Sequence, residues 1–293
     1  MLNGLLRFIG RLPLTFNHRL GAGLGWLTSL FSARHRELTR ANLDQYAMAT
    51  GTHASDAMLA TSFREQGKSI SELAVSWTAP LSRQHSLIVE NSGWEGVDAA
   101  RAAGRAVVFA VPHLGCYEIA GRHIARNVPI TAMYRPPKLR WLESAMQEGR
   151  DRGNATTVPA DAGGVRSLLK TLKRGGAVMI LPDQVPGEGE GEWAEFFGKP
   201  AYTMTLLPRL ALAADAAVFF VFAERLPNGK GYRVVTEPLP EPFSADRAVA
   251  CRQMNAMVEQ LVRKAPTQYL WGYNRYKQPA GAPPPPTPHE STP

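Results

Sequence analysis

The sequence predicts an α/β fold: a mixed sheet covered by helices on both faces, preceded by an N-terminal membrane-associated helical segment. Two observations carry the sheet. Short runs of mostly apolar residues recur at 106–111, 130–134, 155–158, 177–181 and 217–223, and near-continuous apolar runs mark strands buried on both faces. Between them, apolar residues fall at helical spacing over 115–124, 139–152, 164–174, 203–213 and 245–264, so strands and helices alternate. The third observation is an apolar N-terminus broken by basic residues, which sets 1–33 apart from a body over 34–278.

In residues 1–33, Arg7, Arg11, Pro13, His18 and Arg19 interrupt the apolar pattern. The longest uncharged run, 20–32, is shorter than the ~20 apolar residues a spanning helix needs. It also lacks the clean apolar core and small-residue cleavage site of a secretory signal. An interfacial helix pair with basic residues at the headgroups fits this pattern; a helical hairpin packed on the body is the alternative. Arg34, His35, Arg36 and Arg40 follow, a basic cluster suited to an anionic surface.

The body opens with a core-facing helix over 56–77, carrying Met58, Leu59, Phe63, Ile70, Leu73 and Ala74 at helical spacing and ended by Pro80. A short strand at 87–90 and a helix over 94–103, stopped by Gly104, come next. Residues 232–236 read as an edge strand. The tail, 279–293 with its Pro283–Pro286 run, is expected to be disordered.

A net charge of +8 in 293 residues favours anionic partners such as nucleic acid, acidic lipid headgroups or an acidic carrier protein. No helix-turn-helix, RNA-binding aromatic motif or Lys/Arg run appears, which argues against nucleic acid. Cys116 and Cys251 are the only cysteines, too few for a disulfide framework or a Cys-rich metal site.

The chemistry concentrates where strands end. The stretch 106–121 reads as a strand stopped by Pro112, with His113 on the turn and Glu118 five residues later. On one continuous helix those two would point ~140° apart. Facing each other therefore requires His113 off the helix, and Pro112 and Gly115 provide that break. The pair then reads as a general base and its orienting carboxylate, or as an accidental neighbourhood. After the next strand, Arg135 in Tyr134-Arg135-Pro136-Pro137 is placed to take a phosphate or carboxylate, unless it is a surface residue before a Pro turn. After the strand at 177–181, Pro182-Asp183-Gln184 leads into a loop with Gly187, Gly189 and Gly191 that reads as functional or mobile. Asp183 is a site residue there, or a cap. Arg150 and Arg152 end a helix, where they either offset its dipole or join Arg135 in gripping an anionic substrate.

Four stretches, His113-Leu-Gly-Cys-Tyr-Glu118, Tyr134-Arg-Pro136, Pro182-Asp-Gln184 and Phe196-Phe-Gly-Lys-Pro-Ala201, stand in an order and spacing that carry a resemblance. The chain resembles the bacterial lipid A biosynthesis acyltransferases, the lauroyl and myristoyl transferases, and the related mycobacterial phosphatidylinositol mannoside acyltransferases. The resemblance implies a glycerolipid-acyltransferase-like fold at the cytoplasmic face of a bacterial inner membrane. It implies transfer of a fatty acyl chain from acyl carrier protein to a hydroxyl of an anionic membrane glycolipid, with no cofactor beyond the thioester. The family's catalytic pair maps onto His113 and Glu118, and its substrate contacts onto Arg135 and Asp183; Arg150 and Gln184 are further candidates. Where the family often reads Gly-Asn-Trp, this chain has Gly115-Cys116-Tyr117, which leaves the acceptor open.

That chemistry is self-consistent. A hydroxyl must lose its proton as it attacks a thioester, and His113 can take it near neutral pH. Glu118 would hold the tautomer and stabilise the imidazolium. The leaving thiol, of pKa ~8.5, needs little help. Backbone amides near Gly115, or an Arg, could stabilise the oxyanion. A Cys116–His113 nucleophile is disfavoured by tight-turn geometry, and a zinc site on His113, Glu118 and His123 by spacing. Another lysolipid or glycolipid acceptor, or a non-catalytic basic membrane-binding protein, are the alternative functions.

Overall fold

The computed structural model describes residues 2–137 and 142–286. Two helices open the chain, α1 (Leu2–Arg11) and α2 (Leu14–Phe31), broken apart at Pro13. Three more follow: α3 (Ala33–Thr50), α4 (Asp56–Thr78) and α5 (Leu81–Ser86). Ser32 and Ser55 cap α3 and α4 by accepting from the amides of His35 and Met58.

The body then alternates as the periodicity predicts: β1 (Ile88–Ser92), α6 (Glu95–Ala102), β2 (Val107–Ala110), α7 (Tyr117–Asn127), β3 (Ile130–Tyr134), α8 (Glu143–Arg150), β4 (Ala155–Pro159), α9 (Ala162–Lys173) and β5 (Ala177–Ile180). A hairpin of β6 (Gly191–Phe196) and β7 (Lys199–Met204) precedes α10 (Leu206–Ala213), β8 (Ala217–Arg225), β9 (Tyr232–Pro238) and α11 (Arg247–Lys264).

Seven strands form one sheet in the order β1-β9-β8-β2-β5-β3-β4. Only β8 and β9 pair antiparallel, so the sheet is mixed and parallel-rich. One face packs on α3, α9, α10 and α11 through Leu43, Leu168, Leu207 and Val258. The other packs on α6 and α7 through Val97, Ile119 and Ile124, with Leu14 of α2. Strands β2 and β5 are central and run in register, Ala110 opposite Ile180. Chain leaving these two strands therefore emerges side by side.

Five expectations are corrected. Strand β9 is interior, flanked by β1 and β8; its alternating burial mimics the half-exposed pattern of an edge. The Gly-rich segment does not remain a loop beyond Glu190, because 191–204 closes into the antiparallel pair β6–β7. Its two-residue turn places Phe197 and Gly198 at φ 48° and 71°, the backbone that suits a hairpin's twist. Phe197 tolerates that conformation while buried against Tyr46 at 5.1 Å, with Glu259 accepting from its amide. Residues 203–204 consequently belong to β7, and α10 starts only at Leu206. The helix predicted over 139–152 is shorter, Glu143–Arg150, part of the predicted range lying outside the described residues. Finally, the tail packs as far as Pro286: Ala282 is buried, Trp193 Nε1 donates to the Pro283 carbonyl at 2.9 Å, and Gln278 Nε2 to Ala282. A proline run has little conformational entropy to lose, so a few contacts suffice to dock it; residues 287–293 lie outside the description.

The N-terminal helices lie on α4. Along α2 the buried positions Leu14, Asn17, His18, Gly21 and Gly25 make one face, and Gly21 and Gly25 meet Gly67 of α4 backbone to backbone. A Cβ on Gly67 would land on the carbonyl oxygen of Gly21 and the amide of Gly25. Gly67→Ala should thus separate α2 from α4 and cost roughly 1–3 kcal/mol. Urea denaturation and limited proteolysis within α2 measure this; unchanged stability and unchanged cleavage would refute the close crossing.

Candidate functional site

The site is built on the turn between β2 and α7. Strand β2 ends at Ala110, and Pro112, without an amide hydrogen, cannot extend the ladder. The amide of Leu114 then bonds to the Pro112 carbonyl at 2.7 Å, Gly115 takes φ +60°, and α7 starts at Tyr117. Gly115 is required twice over. Its backbone is left-handed, and a Cβ would strike the Ala223 carbonyl oxygen of β8. The turn is pinned on both sides: Gly115 N to Gln268 O at 3.1 Å, Cys116 N to Ala223 O at 2.8 Å, Leu270 N to His113 O at 3.1 Å. Hence His113 is held off the helix at the end of the sheet.

Asp183 grips His113 at two points. One carboxylate oxygen accepts from the His113 amide at 2.9 Å, the other sits 2.8 Å from Nδ1. An ionised carboxylate only accepts, so Nδ1 carries the hydrogen and Nε2 holds the lone pair. Gln184 Nε2 donates to that nitrogen at 3.1 Å. Burial, the largest influence on Asp183, raises its pKa, but the charge and two hydrogen bonds of His113 outweigh it and hold the carboxyl below the usual range. This pairing follows from register: His113 lies three residues past Ala110, Asp183 three past Ile180, and those two residues are partners across β2 and β5.

The expected His113–Glu118 contact is corrected here. Glu118 lies in the first turn of α7 and bonds to Arg150 instead of His113, accepting from Arg150 Nε at 3.0 and 3.2 Å and from its Nη2. Burial pushes Glu118 up, but Arg150, then Arg122, more than offset that and lower it. A guanidinium engages a carboxylate at two points, which an imidazole cannot do. Arg122 fixes the geometry by donating to the carbonyls of Gly149, Arg150 and Arg152 at the end of α8.

His113, Glu118, Arg135, Arg150 and Gln184 all line one cavity of about 710 Å³ at the strand ends, whereas Asp183 stands behind His113, 3 % exposed. Arg122, Arg166 and Arg209 line the cavity too; none was singled out in the sequence, because a lone Arg on a helix carries no local signal. The inner part is apolar, with Ile130, Ala132, Met146 and Met179. Cys116 faces away into the core, 4.0 Å from Ser76, and burial raises its thiol pKa well above the ordinary value. Its amide and those of Leu114 and Gly115 are already bonded within the protein. None of the three can serve an oxyanion. Among the described residues no group of three His, Cys, Asp or Glu could hold a metal ion.

Behind the turn lies a buried ionic cluster that the sequence did not reveal. Arg225, at the end of β8, donates to Glu72 of α4 at 2.9 Å and to the Gly115 carbonyl at 2.7 Å. Glu72 also accepts from Tyr232 Oη at 2.9 Å and meets His18 Nε2 at 2.7 Å. Burial acts to raise Glu72, yet Arg225 and His18 bring its pKa down to about 2.

The matches of this chain to known proteins identify its family. Residues 1–278 match the family described as bacterial lipid A biosynthesis acyltransferase. The chain belongs to that family. It is 29% identical to the lipid A biosynthesis palmitoleoyltransferase of Escherichia coli K12 over 278 residues, 94% of this chain and 89% of that one. It is 29% identical to the lauroyltransferase of the same strain over 287 residues, covering 96% and 92%. With the myristoyltransferase the identity is 26% over 187 residues, 62% of this chain. By family, then, this is an O-acyltransferase of lipid A biosynthesis.

For the acyltransferase, Asp183→Asn keeps the shape of the carboxylate but can present an N–H to Nδ1, which unsettles the tautomer. Acyl transfer is expected to fall by about 10²–10⁴ while circular dichroism is unchanged. Glu118→Gln should act instead through Arg150, raising KM for an anionic acceptor more than it lowers kcat. A D183N variant of normal activity, with E118Q inactive at saturating acceptor, would restore Glu118 as the orienting acid.

Proposed function

We propose that the acyltransferase moves a fatty acyl chain from acyl carrier protein to a hydroxyl of a lipid A precursor, with His113 as general base and Asp183 as its orienting acid. The observation that carries this reading is the Asp183–His113 pair with Nε2 turned toward the arginine-bearing cavity. In the reaction the acceptor hydroxyl displaces Gln184 from Nε2 and gives its proton to that nitrogen as the oxygen attacks the thioester carbon. Asp183 keeps the Nδ1 hydrogen and stabilises the imidazolium. The tetrahedral intermediate collapses by breaking the C–S bond, and the thiolate takes the proton back from Nε2. Because the turn amides are occupied, side-chain donors, Gln184 and the cavity arginines, are left to stabilise the oxyanion. Arg150, braced by Glu118, and Arg135 at the rim suit an acceptor bearing phosphate. The apolar inner part suits the hydrocarbon.

The reading places the acyltransferase at the cytoplasmic face of the inner membrane, attached through α1 and α2. No helix among the described residues is long and apolar enough to cross a membrane. Leu5, Phe8, Phe16, Leu24, Trp26, Leu27, Leu30 and Phe31 are nevertheless exposed, Phe31 by 83 %. On α2 these side chains lie opposite the face held by α4, and Arg7, Arg11, Arg19 and Arg34 are exposed around them. Apolar side chains ringed by arginines fit a bilayer interface with anionic headgroups.

The reconstituted reaction tests the function. Acyl carrier protein thioester and a disaccharide lipid A precursor should give a product heavier by one acyl chain, and His113→Ala should lower that rate by about 10²–10⁴. Transfer to lysophospholipid but not to the lipid A precursor would reject the acceptor; an active His113→Ala would reject the base.

A flotation assay tests the attachment. Trp26→Glu with Phe31→Glu should reduce partitioning onto phosphatidylglycerol vesicles at least about tenfold. Undiminished flotation would move the membrane surface elsewhere.

A further inference from the structure

Helix α9 presents a stripe of basic residues that the core does not use and of which only the first, Arg166, reaches the cavity. Its inward side chains Leu168 and Leu172 are buried against the sheet. Arg166, Lys170, Lys173 and the following Arg174 are exposed. At 100° per residue these four fall within one outward arc. The stripe begins at the cavity, since Arg166 lines it, and Arg209 of the neighbouring helix α10 lines it beside Arg166 and is also exposed. Among the described residues no carboxylate lies within ion-pair distance of any of the five. Asp161, the acid nearest in sequence, caps the start of α9 by accepting from Gly164 at 2.8 Å.

Two anionic partners could meet such a stripe, a membrane or an acidic protein. A helix lying on a bilayer needs an apolar flank to insert, and α9 exposes no large apolar side chain. Moreover, α9 covers the sheet face opposite to the one that receives Leu14 of α2. We propose that the outward stripe of α9, with Arg209, is the docking surface for the acidic carrier protein that delivers the acyl thioester, its arm entering the cavity between Arg166 and Arg209. The proposal rests on the carrier-thioester reading above. It adds that donor and lipid acceptor approach His113 from different sides, the donor over α9 and the acceptor from the apolar face of α1 and α2. Charge at such a surface chiefly sets encounter rate and orientation, and it is screened by salt.

The test uses the full chain carrying Lys170→Glu and Lys173→Glu, two exposed positions away from the cavity. Steady-state rates are measured with an acyl-carrier thioester and with the same acyl group on pantetheine, at low and high salt. The expected result is a KM for the carrier-bound donor raised ~tenfold or more, with kcat held. The pantetheine donor should be used as well as by the unmutated protein. Added salt should raise the carrier KM of the unmutated protein and leave that of the variant nearly flat. An unchanged carrier KM overturns the docking surface. So does an equal loss with both donors, which would mean that the substitutions disturb the cavity, and so does a loss that follows weakened flotation on phosphatidylglycerol vesicles, which would make the stripe a membrane contact. An unmutated protein that uses acyl-pantetheine and never the carrier thioester rejects the donor reading itself, and the docking surface with it.

Discussion

Arg225 is the buried charge on which the architecture around the site depends. From the end of β8 it reaches Glu72 and Ser69 of α4 and the carbonyl of Gly115 in the turn that holds His113. Through Glu72 the same cluster takes in His18 of α2 and Tyr232 of β9. One guanidinium thus joins the N-terminal helices, the sheet and the turn that bears His113. Replacing both partners by apolar groups need not destabilise a protein, but removing one strands the other at ~3–5 kcal/mol. The cluster therefore acts as a constraint on placement more than as a source of stability. It makes the position of α2 and the position of the His113 turn interdependent.

In the proposed reaction the two carboxylates near His113 divide the work. Asp183 is buried behind the ring and bonds to both the backbone and the side chain of one residue, which leaves the imidazole a single tautomer and a single direction. Glu118 lies on the cavity wall and secures a guanidinium there. An orienting acid works best away from substrate, where solvent cannot compete for the Nδ1 hydrogen. A carboxylate on the wall would repel an anionic substrate unless its charge were matched, and Arg150 matches it.

The N-terminal helices show how an amphipathic pattern can be divided between two neighbours. On α2 Asn17, His18, Gly21 and Gly25 are buried and, Leu14 apart, the large apolar side chains face outward, the inverse of a soluble surface helix. Glycines permit the close backbone approach, so that the helix is anchored to the body with Leu14 as its one buried large apolar side chain. The others remain available for another apolar phase.

Local preferences were legible in the sequence. Apolar periods marked the strands and helices, Pro112 and Gly115 marked the turn that lifts His113 off α7, and Arg135, Asp183 and Gln184 stood out because they follow strands. These signals depend on neighbours within a few residues, through φ restrictions and side-chain spacing, and the chain carries them wherever it folds. Partnership was not legible. That His113 meets Asp183, 70 residues away, depends on β2 and β5 being adjacent and in register, and strand order is a property of the whole sheet. Glu118 is closer to His113 in sequence, yet α8 supplies Arg150 to it. Strand β9 looked like an edge because an alternating pattern records how many faces are buried and not how many neighbours bond. Composition and period thus determined the elements and the polar loops that follow the strands, while the sheet's pairing, which alone places distant side chains within 3 Å, decided which of them meet.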